Sequence, residues 1–185
     1  MTTNIQLAGK VARFVQLSSV VLRSANVTTD FDPESVPEPL TVDLKYRANL
    51  DSMPQVGEGE TKRLGVLVDF QFGLHCGEDD GIVDVLSLTA SYLLIYILFK
   101  DEDVELDKRC FRHFAEVNGP YNAWPYLREL VQSVTGRVGL GGLTMPVFHP
   151  KAVDVTEDEE KGCAQNTLDG PSLGSAMAPQ KVSDN

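Results

Sequence analysis

Cysteine is scarce in this chain: Cys76, Cys110 and Cys163 are the full set. The number is odd and the spacing fits no metal site. Neither a disulfide framework nor a zinc centre is therefore expected, and reduced thiols of a cytosolic protein are the plain reading. Long apolar runs are missing too. A membrane-spanning helix needs about 18 or more nearly uncharged residues, and the nearest approach, Ile82 to Phe99, is interrupted by Asp84 and several hydroxyl residues. The start, MTTNIQLAGK, lacks the basic region and apolar core of a secretory signal. Positive charge is in deficit: 16 Lys and Arg stand against 27 Asp and Glu, for a net charge of −11. That balance excludes the basic surface that nucleic acid or an anionic membrane demands, and it favours a basic partner if any.

Catalytic signatures are also absent. There is no GxSxG, Walker, HExxH or kinase sequence. The histidines, His75, His113 and His149, have no ligand set around them, and adjacent strand residues such as His75 and Cys76 point to opposite faces. The acidic run Glu78-Asp79-Asp80 lacks the spacing of a calcium loop. Gly139, Gly141 and Gly142 follow a helix, whereas a phosphate cradle precedes one. No catalytic residue, metal or cofactor is expected.

What the sequence does hold is strand alternation. Its 185 residues, 42% hydrophobic, suffice for one domain with a real core. Leu40 to Leu50 alternates apolar and polar residues, as does Thr61 to Cys76, where Leu64, Val66, Val68, Phe70, Phe72 and Leu74 share a face. Lys10 to Ser24 reads as a first strand and Ile82 to Phe99 as a fourth, or as two with a bend near Ala90-Ser91. Both are apolar on two faces, which points to a partner subunit or an apolar ligand. Short turns at MPQVGEGE and GEDDG imply an antiparallel meander, while Asn26 to Pro39 forms a long loop. Helical spacing follows over Asp101 to Val117, ended by Asn118-Gly119-Pro120. A second helix is expected over Tyr126 to Arg137, with Pro125 in its first turn, Leu127, Leu130, Val131 and Val134 on one face, and Gly136 available for positive φ. Leu143 to Phe148 is strand-like, and DVTEDEEKG opens an acidic tail.

The run PYNAWPYLRE, with Arg137 and Leu143 to Val147 after it, resembles the C-terminal half of the SecB family of protein-export chaperones. The matching residues are Pro120, Pro125, Tyr126, Arg128, Glu129, Arg137, Leu143, Pro146 and Val147. A weaker likeness covers Phe31, Asp32, Pro39, Asp43 and Leu44, without the family's tryptophan, so the resemblance extends from Val11 to Phe148. WPYLREL and the VTGR that follows are at least as similar to the SecB-like chaperones that accompany toxin–antitoxin pairs.

The resemblance implies an α+β fold, a four-stranded antiparallel sheet followed by two helices, with a chaperone domain over 1–150. The family usually has a helix after that, but the acidic, Gly-, Pro- and Ser-rich composition of 151–185 shows no helical period, so a disordered tail is expected there. It implies a cytoplasmic homotetramer, a dimer of dimers, acting as an ATP-independent holdase. Unfolded preproteins would be kept export-competent for the SecA motor, or an antitoxin would be the client. Catalysis, cofactors, nucleic acid and direct membrane insertion have no place in it. Carried over by position, Phe31, Val66, Val68, Phe70, Phe72, Tyr92 and Tyr96 would bind clients, and Trp124, Tyr126, Leu127, Leu130, Val131 and Val134 would form the oligomer interface. Outside the resemblance, two readings stand: a small-ligand-binding α+β domain with a pocket between sheet and helix, and a purely structural oligomer subunit.

Overall fold

The computed structural model describes residues 2–32, 40–54, 62–76, 83–99, 106–152 and 168–169. The elements are α1 (Asn4–Ala12), β1 (Val15–Thr29), β2 (Leu40–Ser52), β3 (Arg63–Cys76), β4 (Val83–Leu98), α2 (Lys108–Arg137) and β5 (Leu168–Asp169). The strands form one sheet in the order β1-β4-β3-β2-β5, with every described pair antiparallel. The fold is the expected α+β arrangement of a four-stranded antiparallel sheet and two helices, with a two-residue fifth strand added at one edge.

The helices are placed differently from the sequence reading. One precedes the sheet. Thr3 caps it: its hydroxyl accepts from the Gln6 amide, and Gln6 reaches back to the Thr3 amide, a reciprocal box that satisfies two otherwise orphaned donors. Leu7, Ala8 and Val11 are buried from this helix, which packs against α2. The strand expected from Lys10 therefore starts at Val15 and runs on to Thr29, into the stretch read as loop.

The two helices expected after the sheet are one. α2 continues through Asn118-Gly119-Pro120 and through Pro125, which sits mid-helix and not in a first turn. A proline ordinarily breaks a helix by removing an amide donor and crowding the preceding turn. Here tertiary packing overrides that local signal. Gly119 is pressed so closely on the sheet that a Cβ there would lie 2.9 Å from a Val66 methyl and 3.1 Å from one of Val68. The helix also passes through Gly136, ending at Arg137, and Gly139 takes the positive φ of 87° that closes it. Residues 141–152 form no strand. They are tied back by Trp124 Nε1 donating to the Pro146 carbonyl at 2.8 Å and by the Leu143 amide donating to Thr135 Oγ1 at 3.0 Å.

β4 is a single strand, 83–98; its own irregularity is Val85, skipped in the register with β3 between Leu86 and Asp84, and near Ala90-Ser91 the irregularity lies on its neighbour. β1 shifts register between Leu17 and Ser19 and again between Leu22 and Ser24. The second half of the expected 26–39 loop (33–39), the turns over 55–60 and 77–81, and nearly all of the acidic tail fall outside the described residues.

Candidate functional site

The sheet has two faces, and α2 covers one. On the covered, inner face, Leu64, Val66, Val68, Phe70, Phe72 and Leu74 of β3 alternate with outward residues, as do Leu86, Leu88, Ala90, Tyr92, Leu94 and Tyr96 of β4; all are buried. Phe70 sits in an aromatic cluster, its ring centroid 6.2 Å from that of Tyr92, 6.3 Å from Tyr46 and 6.4 Å from Trp124. Phe148, from the extended segment after α2, completes it at 5.1 Å from Trp124 and 5.4 Å from Tyr46. Burial pushes the Tyr92 and Tyr96 phenols up to about 12. Glu129 adds to the rise at Tyr92, while the Asn122 amide, donating to the Tyr96 hydroxyl at 2.9 Å, acts against it.

The cover is incomplete. α2 packs on β2, β3 and β4, most extensively on β2. β1 lies at the far margin, and its inner side is open. Leu22 faces the same side as its register partner Tyr92 and is 47% exposed. Tyr126 stands over them from α2, its ring 6.4 Å from Tyr92, and is 41% exposed. Ala25 and Val27 continue the strip along β1, opposite Ala90 and Leu88, and Phe31, half-buried against the core, lies just past its end. The result is an apolar strip bounded on one side by β1, an edge strand among the described residues, and on the other by helix α2.

Among the described residues, no helix lies on the outer face. One half is polar: Ser24, Ser91, Asp69 and Arg47 form a row across the strands, with the Ser91 hydroxyl donating to Asp69. The other half is apolar. Val21, Leu93 and Leu67 form one row, and Ile95 and Ile97 lie beside it; Val21 is 42% exposed. None of these five belongs to the core cluster or packs against it.

The structure distributes the residues named from sequence unevenly. Phe31 and Tyr92 line the strip. Val66, Val68, Phe70, Phe72 and Tyr96 lie beneath α2, closed off from solvent within the single chain. On α2, Trp124, Leu127 and Val131 face their own sheet, Leu130 and Val134 are half-buried, and Tyr126 is exposed. Leu22 and Val27 were not singled out by sequence reasoning. The signal was there, since β1 is apolar on both faces, but which face stays open depends on where α2 lies. Among the described residues, no group of three or more His, Cys, Asp or Glu side chains is arranged to hold a metal. No helix there is long and apolar enough to cross a membrane.

No family model matches the chain, and no curated protein matches it. Solved structures do. A SecB-like chaperone of Mycobacterium tuberculosis, solved in complex with a peptide from an antitoxin, superposes with a TM-score of 0.64 at 18% identity. The match spans 78% of this chain and 98% of that one. A protein of unknown function from Streptococcus agalactiae matches at a TM-score of 0.42 and 11% identity over 71% of this chain and 96% of its own. The chain has a SecB-like fold, as the WPYLRE run implied.

Proposed function

We propose that this protein is a SecB-like molecular chaperone, a holdase that captures unfolded chains without ATP and without catalysis. The observation that carries the reading is the apolar strip in which Leu22 and Tyr126 are exposed, with the half-buried Val27 and Phe31 along it and the buried Tyr92 as its floor. Such a strip offers apolar and aromatic contact to an extended chain of almost any sequence, and many weak contacts along one client add up to useful avidity. The antitoxin peptide bound by the mycobacterial neighbour supports an antitoxin as client in particular; delivery of preproteins to the SecA motor is the alternative carried by the resemblance. The protein acts in the cytoplasm as a homotetramer. Leu130 and Val134, rather than the inward-facing Trp124, Leu127 and Val131, are the helix residues a second copy reaches, and the β1 edge is a further contact. The tail from residue 151 stands outside the chaperone domain.

The test is size-exclusion chromatography with light scattering, with and without reduced, carboxymethylated α-lactalbumin, a permanently unfolded chain. A tetramer near 80 kDa, four times the 20.3 kDa chain mass, that gains mass with the unfolded protein and ignores the native one is the expected result. A species indifferent to both sinks the proposal. Co-expression with the partner antitoxin, set beside binding to the SecA motor, then separates the two client classes.

A further inference from the structure

The sheet has a second edge, β2, and it is not bare. Leu168–Asp169, from the acidic tail, pairs antiparallel with the middle of β2, setting Asp169 opposite Lys45 and Leu168 opposite Tyr46. Tyr46 is held in place by the core, with its ring edge-on to Phe148 at 5.4 Å and 6.3 Å from Phe70. Lys45 and Arg47 are exposed on the other face, Lys45 with its ammonium 3.5 Å from the Asp43 carboxylate. The edge therefore presents backbone donors and acceptors, flanked inward by a fixed aromatic ring and outward by basic side chains.

A two-residue strand is far too short to hold itself on a sheet. Covalent attachment makes the difference, because a tethered segment meets its site at an effective concentration that is on the order of millimolar for a short flexible linker. Such pairing is read through the main chain and is nearly indifferent to sequence. The same property suits any extended, unfolded segment that reaches the edge.

We infer that the β2 edge accepts extended peptide backbone as an added strand, and that Leu168–Asp169 is its tethered occupant, displaced when a client adds there. This rests on the holdase reading and gives the tail a role in it. The occupied edge is shielded from edge-to-edge aggregation while the chaperone is empty. The apparent affinity for a client is lowered by the fraction of time the tail is seated.

The experiment compares three full-length proteins: the natural chain; Leu168→Pro with Asp169→Pro, which removes both tail amide donors; and Lys45→Cys with Asp169→Cys and Cys163→Ser. Directly opposed strand residues lie within disulfide reach, so the last pair locks the tail down on oxidation. Amide hydrogen exchange is read at Lys45 and Tyr46, and carboxymethylated α-lactalbumin binding is read by fluorescence anisotropy. In the proline variant, exchange should rise several-fold at the one of these two adjacent amides that points away from β3 toward the tail, and the probe should bind roughly two- to tenfold tighter, as for a tail seated half to nine-tenths of the time. The oxidised lock should bind more weakly, with recovery on reduction. Unchanged exchange overturns the seating of the tail, and faster exchange with unaltered probe affinity overturns the competition. A probe that binds none of the three proteins overturns the holdase reading and client displacement with it, while the exchange data report on the tail independently.

Discussion

The two faces of the sheet are built from the same four strands and meet different fates. On the inner face, β3 and β4 supply an unbroken set of large apolar residues, and α2, about 45 Å long at 1.5 Å per residue, lies across them. On the outer face, the strands switch halfway from a polar half, with Asp69, Ser91 and Arg47, to an apolar one of Val21, Leu67, Leu93, Ile95 and Ile97. The inner face is a core. The apolar half of the outer face, together with the open margin along β1, is surface of the kind that monomeric proteins seldom leave uncovered. What stabilises the chain lies under the helix, and what is left open lies where the helix does not reach: the inner margin along β1 and the outer face.

That division is broken or sharpened first by truncating the core. Phe70→Ala removes a fully buried ring and should cost about 3–5 kcal/mol in chemical denaturation; a cost near zero would mean that the inner face is not the core. Next comes the helix-to-sheet contact. Gly119→Val places atoms where Val66 and Val68 already stand, for a loss of about 1–3 kcal/mol through overpacking. An unchanged midpoint would show that α2 does not press on the sheet at that point.

A third check uses alkali. Tyr92 and Tyr96 keep their protons to about 12 in the folded chain, above the ordinary value of 10.0. Between those limits the folded state holds protons that the unfolded state has released, so stability falls as pH rises through the window and is fully present below it. Denaturation midpoints followed from pH 9 upward should decline, and phenolate absorbance should lag behind that of free tyrosine. Phenols that ionise like free tyrosine would place these rings in water. The smallest effect belongs to the outer face. Ile95→Thr and Ile97→Thr should each change stability by about 0.5 kcal/mol, as surface positions do; a cost like that of Phe70→Ala would erase the difference between the faces.

The sheet was legible because period-two alternation in β2 and β3 is a direct image of one wet and one dry side. Double-sided apolar character in β1 and β4 likewise announced apolar surface beyond the reach of α2. The helices were less legible, for opposite reasons. α1 carried a readable signal, the Thr3–Gln6 capping box with Leu7, Ala8 and Val11 behind it, that was passed over in a stretch rich in β-branched residues further on. The continuity of α2 was not written locally at all: Asn118-Gly119-Pro120 is a stop by every local rule, and packing of Gly119 on Val66 and Val68 carries the helix through. The candidate site suffered from the same gap. Aromatic and aliphatic residues of β3 and β4 look alike in sequence whether a helix covers them or not. Only the position of α2 separates the enclosed Phe70, Phe72 and Tyr96 from the open Leu22 and the half-buried Val27.

The central claim, that the open strip beside α2 captures unfolded chains, is tested most directly by the affinity of the natural protein and of Leu22→Asp with Val27→Asp for carboxymethylated α-lactalbumin. Denaturation midpoints are measured alongside to establish that the variant is folded. The account expects binding by the natural protein and a loss of tenfold or more in the variant at little cost in stability, because both side chains lie at the margin of the core. Equal binding by the two folded proteins would contradict it and move the client elsewhere on the molecule.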